Sequence, residues 1–169
     1  IPLCALVYLF LMRWGYEQDD QPMANPAEPS LTSVIAMKTN QTKARYNRIA
    51  WLYDLMEAPM EWLLFRRWRS LLFSEVSEGR LLEVGVGTGK NLPYYPTIVQ
   101  ATAINISDKM LARAQRRPQS AWIAPRWMDV QHLEFPDDSF DTVIATFVFC
   151  SVPDPIQGLR EIRRVRCRR

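Results

Sequence analysis

Gly85, Gly87 and Gly89 stand at alternate positions directly behind the apolar run that contains Leu81, Leu82, Glu83 and Val84. Such a run reads as a buried parallel strand, and the glycines let the following turn bring its backbone N–H groups against a ligand. The chemistry this suits is the holding of a nucleotide-like molecule, with an ordinary glycine-rich βα turn as the plainer alternative. The spacing is G-x-G-x-G, and Lys90 occupies the place where a dinucleotide-binding G-x-G-x-x-G needs its last glycine. A P-loop is excluded as well, because Asn91 follows Lys90 where Ser or Thr is required. Asn105 lies 20 residues beyond Gly85, the separation that sets the end of a second strand beside the glycine turn, at a position that faces a ribose.

Two further segments extend the pattern. Glu83 two positions before Gly85, followed by Gly87 and Gly89, resembles motif I of the class I S-adenosyl-L-methionine (SAM)-dependent methyltransferases. Asp129 and Val130, then Leu133, Phe135, Pro136, Asp137, Ser139, Phe140 and Asp141, resemble that family's D-x-x-x-L-x-F-P-D-x-S-F-D segment. Residues 37–165 as a whole are similar to methyltransferases of the phosphatidylethanolamine N-methyltransferase type, and next to ubiquinone/menaquinone C-methyltransferases. Phe147, Cys150, Val152 and Pro153 lie in a stretch that is similar to lipid-associated and thiol methyltransferases.

The resemblance implies a cofactor and a set of contacts. SAM would sit with its methionine part on Gly85, Val86, Gly87, Thr88 and Gly89, its ammonium aided by Glu83. Asn105 and Ile106 would face the ribose, Asp129 would accept from the adenine amine, the backbone of Val130 would reach a ring nitrogen, and Phe147 would complete the cofactor set. The family usually has Asp or Glu at the ribose position, and a neutral acceptor there costs about tenfold in affinity. The implied reaction is an in-line displacement at a methyl already activated on sulfur, which needs alignment more than acid or base power. The implied acceptor is lipid-like or a small hydrophobic molecule, a phospholipid amine or a quinone being favoured. A non-catalytic SAM-binding fragment is the alternative, and a nicotinamide-dependent oxidoreductase is disfavoured by the glycine spacing and Asp129.

Candidates near the reacting methyl are Tyr46 and Tyr53, which either close over it or pack on the sheet, and Cys150, which reads more readily as a buried structural cysteine. His132, the one histidine, reads as an exposed loop residue rather than a base.

The elements that must position these groups follow from periodicity. Alternating strand and helix predicts an α/β, Rossmann-like class I methyltransferase fold with a parallel sheet in the order 3-2-1-4 and helices on both faces. Strands are expected near 81–85, 100–105, 123–128 and 140–147. A short helix is expected near 89–95, another over 108–117 capped by Ser107, and a final one after Asp154 with Ile156, Leu159, Ile162 and Val165 as its apolar face. Ahead of the sheet, Tyr46, Ile49, Ala50, Tyr53 and Met56 form one helical stripe that Pro59 ends, and Trp62, Phe65, Trp68, Leu72 and Val76 form a second. The expected organisation is an apolar segment and Pro-rich flexible linker over 1–36, N-terminal helices on the lid or acceptor side over 37–78, and a cofactor-binding core over 79–169. Met37 is a plausible natural start. The family's sheet has further C-terminal strands, so the chain reads as cut short, with the fourth strand as an exposed edge open to oligomerisation.

Composition narrows the setting. The 169 residues, 48% of them hydrophobic, suit one globular domain with a core. The net charge of +3 divides unevenly: Arg13 against Glu17, Asp19, Asp20 and Glu28 leaves residues 1–36 at −3 and the remainder at +6. No nucleic-acid partner is expected. The basic groups at Arg66, Arg67 and Arg69 and at the C-terminus suit either an anionic surface or a solvated helix face. Trp51, Trp62, Phe65, Trp68 and Phe73 around the first group are compatible with peripheral contact with a bilayer, or with packing on the sheet. Three cysteines without C-x-x-C spacing indicate neither a disulfide framework nor a zinc site and fit a reducing cytoplasm. The opening apolar run of about 12 residues is shorter than the roughly 20 that span a bilayer.

Overall fold

The computed structural model describes residues 30–60, 65–118, 123 and 125–167, with the backbone alone for 52–60. Strands β1 (Gly79–Val84), β2 (Val99–Asn105), β3 (Arg126–Trp127) and β4 (Thr142–Ala145) form a sheet in the order β3-β2-β1-β4, with every pairing parallel. This is the expected Rossmann-like arrangement. β1 is central because it can be: Leu81 packs into one hydrophobic cluster and Leu82 and Val84 into another, so both faces of the strand are covered.

Helix α1 spans Leu31–Met60, α2 Arg66–Ser74, α3 Asp108–Ala114 and α4 Pro155–Val165. Phe73 of α2 and Leu111 and Ala114 of α3 join the cluster on Leu81, whereas Val165 and Ile162 of α4 join the one on Leu82. The sheet therefore carries helices on both faces. Caps fall where the side chains predict them: Ser107 Oγ accepts from Met110 N at 3.3 Å, and Asp154 Oδ1 accepts from Gln157 N at 2.9 Å.

Several expectations need correction. The third strand is two residues long, since only Ile104 and Asn105 pair with Arg126 and Trp127 and Pro125 has no N–H to extend the ladder. The fourth is trimmed at both ends. The short helix near 89–95 is a single 3-10 turn, Leu92–Tyr94, started by Pro93, and α3 loosens into turns after Ala114. α1 begins at Leu31, upstream of Met37, and runs to Met60, one residue past Pro59. On α2 the inward residues are Arg69 and Phe73, while Trp68 and Leu72 are exposed, so the aromatic stripe is offset from the face that packs. On α4 Ile156 and Leu159 are exposed, and Gly158 is the close-packed position, where an added Cβ would lie 3.1 Å from the Phe149 ring. The start of the β4 edge is covered by the chain itself: Phe140 N donates to Val165 O at 2.9 Å and Cys167 N donates to Phe140 O at 2.8 Å, which lays Arg166 parallel beside Phe140.

α1 crosses the C-terminal ends of the strands and is held there by polar side chains one helical turn apart. Thr39 Oγ1 accepts from Gln131 Nε2 at 3.1 Å, Thr42 Oγ1 donates to Ser151 O at 3.3 Å, and Lys43 pairs with Asp108 at 2.7 Å. Asn47 Oδ1 accepts from both Ser107 Oγ at 2.7 Å and Lys109 N at 3.2 Å. Asn47→Ala should lower stability by about 1–2 kcal/mol, since it removes both bonds at the start of α3, and thermal melting will show it.

Candidate cofactor site

The chain order β1, β2, β3 runs outward on one side of β1 and then reverses to β4 on the other, and ligands of open α/β sheets bind in the crevice at that reversal. The glycine turn lines this crevice. Gly85, Gly87 and Gly89 have φ of 78°, 56° and 80°, a region that costs other residues strain. Gly85 N and Val86 N both donate to Ile104 O, at 2.9 and 3.0 Å, which ties the start of the turn to β2. Arg117 Nε donates to Thr88 O at 2.7 Å and fixes the turn from behind. At Gly87 a Cβ would meet nothing nearer than Gly85 O at 4.0 Å, so its open side is the cleft.

The cleft has two lobes that share Gly85, Asn105 and Ile106. The larger, about 650 Å³ including its mouth to solvent, is lined at one end by Arg69, Glu83, Thr88, Lys90 and Asn91. The second, about 390 Å³, is walled by Val84, Ile104, Met128, Val130 and Val152, with Asp129 among them. A charged end joined to an apolar slot that carries one acidic acceptor fits SAM, whose methionine is zwitterionic and whose adenine is a flat ring with an exocyclic amine.

Glu83 is fully buried on β1. Its Oε2 accepts from the Tyr95 hydroxyl and its Oε1 from Asn91 Nδ2, and Asn91 Oδ1 in turn accepts from Arg69 Nη1. Burial is the largest influence on the carboxyl and raises its pKa, with Tyr95, Asn91 and Arg69 acting in the opposite direction. Burial and the neighbouring Glu83 hold the Tyr95 phenol well above its ordinary value, so it donates as a neutral hydroxyl. Tyr95, Asn91 and Arg69 are absent from the cofactor set that the motifs imply. The polar Asn91 and Tyr95 immediately behind the glycines are the available signal.

Asn105 is buried and serves the turn: its Oδ1 accepts from Gly87 N at 3.3 Å and its Nδ2 donates to Ser107 O at 3.3 Å. Asp129 is half-buried, and its carboxylate accepts from Gln131 N at 2.9 Å and from Gln131 Nε2 at 3.0 and 3.1 Å. Gln131, buried and missed in the sequence, also accepts from Asp154 N at 3.0 Å through Oε1, so one amide links Asp129, α1 and the start of α4.

Tyr46 and Phe147 both line the larger lobe. Phe147 is 58% exposed with φ of 56°, a strained conformation for an aromatic residue, and its ring lies 5.0 Å from Phe65. The side chain of Tyr53 lies outside the described residues. Cys150 is exposed, not buried, its thiol turned to Phe147 O at 3.4 Å, and it lines neither lobe. His132 is exposed, as expected of a loop residue.

The methyltransferase domain family matches residues 82–168, beginning within β1 and taking in β2, β3, β4 and α4. The chain belongs to this family. The cofactor of this methyltransferase domain is SAM. Among curated proteins the domain is 46% identical over 95 residues to the phosphatidylethanolamine N-methyltransferase of Cereibacter sphaeroides, covering 54% of this chain and 46% of that one. It is 29% identical over 142 residues to the ubiquinone/menaquinone biosynthesis C-methyltransferase UbiE of Geotalea daltonii, covering 78% and 60%. The chain thus spans about half the length of the curated relatives it matches. A SAM-dependent methyltransferase of Thermotoga maritima shares the fold, with a TM-score of 0.59 at 24% identity, over 74% of this chain and 56% of that one. The [4+2]-cyclase SpnF aligns at a TM-score of 0.54 and 29% identity, over 59% and 40%.

Proposed function

We propose that this methyltransferase domain transfers a methyl group from SAM to a lipid-like acceptor, a phospholipid amine first and a quinone next. The observation that carries the reading is the two-lobed cleft whose charged end, glycine turn and Asp129 slot match the parts of SAM in order. The two curated relatives, named for a phospholipid amine and for quinones, direct the choice of acceptor.

In this reading the turn from Gly85 to Gly89 holds the methionine part, with Val86 and Thr88 in its wall and Glu83 toward the ammonium. Asn105 and Ile106 take the ribose, and Asp129 and Val130 the adenine. When bound, the sulfonium supplies an already activated methyl group. What the chain adds is alignment and exclusion of water, which together contribute roughly 7–11 kcal/mol in well-oriented reactions. Tyr46 from α1 and Phe147 from the loop after β4 flank the larger lobe, where an acceptor would approach the methyl.

The role of Asn105 gives a prediction of mixed sign. Asn105→Asp should tighten SAM about tenfold by offering the ribose a charged acceptor, and should cost the free protein about 1–3 kcal/mol because the new carboxylate faces Ser107 O. Calorimetry and melting measure the two separately.

The outer face of α2 suits an anionic bilayer, since Trp68 and Leu71 are 53% and 58% exposed beside the exposed Arg66 and Arg67. No described helix is long and apolar enough to cross a membrane. Flotation with anionic vesicles tests the contact, and failure to bind them removes it.

A second reading takes up the likeness to SpnF, a protein named as a [4+2]-cyclase: that this chain binds SAM without transferring its methyl group. A transfer assay with labelled SAM and phosphatidylethanolamine, demethylmenaquinone or an alkyl thiol separates the two. Label in the phospholipid is the expected result, and SAM binding without transfer to any acceptor supports the second reading.

A further inference from the structure

Arg69 is 7% exposed on the inner face of α2, beside Phe73. A guanidinium is seldom taken out of water without a specific duty, because its desolvation is costly unless a partner offsets it. Its Nη1 donates to Asn91 Oδ1, while the other end of the same amide donates to Glu83 Oε1. The amide stands between cation and anion. A positive and a negative group are thus spaced by one amide, and both line the charged end of the cleft. That spacing is complementary to an α-amino acid end, which carries a carboxylate and an ammonium on the same carbon.

We propose that Arg69 receives the carboxylate of the methionine part of SAM while Glu83 faces its ammonium, so that α2 supplies the half of a zwitterion clamp that motif I lacks. The proposal rests on the placement of SAM in this cleft and adds to it a residue outside the glycine turn. It also gives α2 a part in recognition, since a helix ahead of the sheet then reads which way round the cofactor enters. Lys90, at the same end of the cleft, is the competing cation.

Calorimetric titration of the chain with SAM and with decarboxylated SAM tests it. The wild type should bind SAM roughly 10- to 100-fold more tightly than the decarboxylated analogue, the range expected for charge-assisted hydrogen bonds. Arg69→Gln should bind both ligands with the affinity the wild type shows for the analogue, Arg69→Lys should keep a preference of a few-fold, and Lys90→Met should keep the full preference. Melting curves establish that each variant is folded at the titration temperature. Equal affinity of the wild type for the two ligands would overturn the proposal without recourse to any variant. So would a preference that survives Arg69→Gln, an equal weakening of both ligands in that variant, or loss of the preference in Lys90→Met. Absence of any SAM binding by the folded wild type would instead strike the placement of the cofactor, and this inference with it.

Discussion

Gly87→Ala should leave the protein folded and remove SAM binding, whereas Gly85→Ala two residues earlier should damage the fold itself. Both positions have positive φ, so each substitution carries backbone strain of about 1–2 kcal/mol. They differ in what a methyl group meets. At Gly85 it would lie 2.6 Å from Val148 Cγ2 and 2.7 Å from Val148 Cβ, a β-branched side chain with little room to turn. Overpacking of that kind adds about 1–3 kcal/mol, so the total of roughly 2–5 kcal/mol is a large part of a domain's stability. At Gly87 the new methyl enters open space in the cleft, where the cofactor's own atoms are proposed to lie. Chemical denaturation should rank Gly85→Ala well below Gly87→Ala, and calorimetry should find no SAM affinity in either.

The second large effect separates charge from shape at Glu83. Glu83→Ala strips a buried acceptor from Tyr95 and Asn91 and should cost about 3–5 kcal/mol. Glu83→Gln keeps an oxygen for Asn91 and can donate to the Tyr95 hydroxyl, so the free protein should remain as stable at neutral pH, or become more so. SAM affinity should nonetheless fall by roughly 10- to 100-fold, because the charge opposite the ammonium is gone.

The pH dependence has a definite sign. Burial raises the Glu83 carboxyl above its unfolded value, so between those two values the folded state binds the extra proton. The stability this group contributes is fully present below the unfolded pKa and is lost as pH rises through the raised folded one. Glu83→Gln should flatten that decline in the free protein, as melting across the same pH range will show.

The sheet order and the glycine turn are legible in the sequence because both depend on local pattern: an apolar run before alternating glycines, and strands separated by capped helices. Short pieces are less so. β3 is two residues long because its chain comes alongside β2 only at Ile104 and Asn105, a fact about register that no window of sequence contains. The faces of α2 and α4 depart from expectation for a related reason. Hydrophobicity points to Trp68, Ile156 and Leu159, while the packing selects Arg69 and Gly158, one for its charge beside Glu83 and one for its lack of a side chain against Val130 and Phe149. Arg164 likewise looks like one more cation in a basic tail. In the fold it donates to Phe135 O at 2.7 Å and to Leu133 O at 2.8 Å, and so holds the segment after Asp129 against α4. Gln131 and Arg69 act through partners far away in sequence, so type and spacing alone assign them no role. Cys150 fails in the other direction: its place after β4 suggests the site, and the turn there carries its thiol to the exterior.

The central claim is that the cleft at the reversal between β1 and β4 is a SAM site, and calorimetric titration of the folded chain with SAM tests it most directly. A saturable single-site isotherm, abolished by Gly87→Ala and weakened by Glu83→Gln with both variants still folded, is the result predicted. A folded wild-type sample that binds no SAM, or binding that both substitutions leave unchanged, would contradict it.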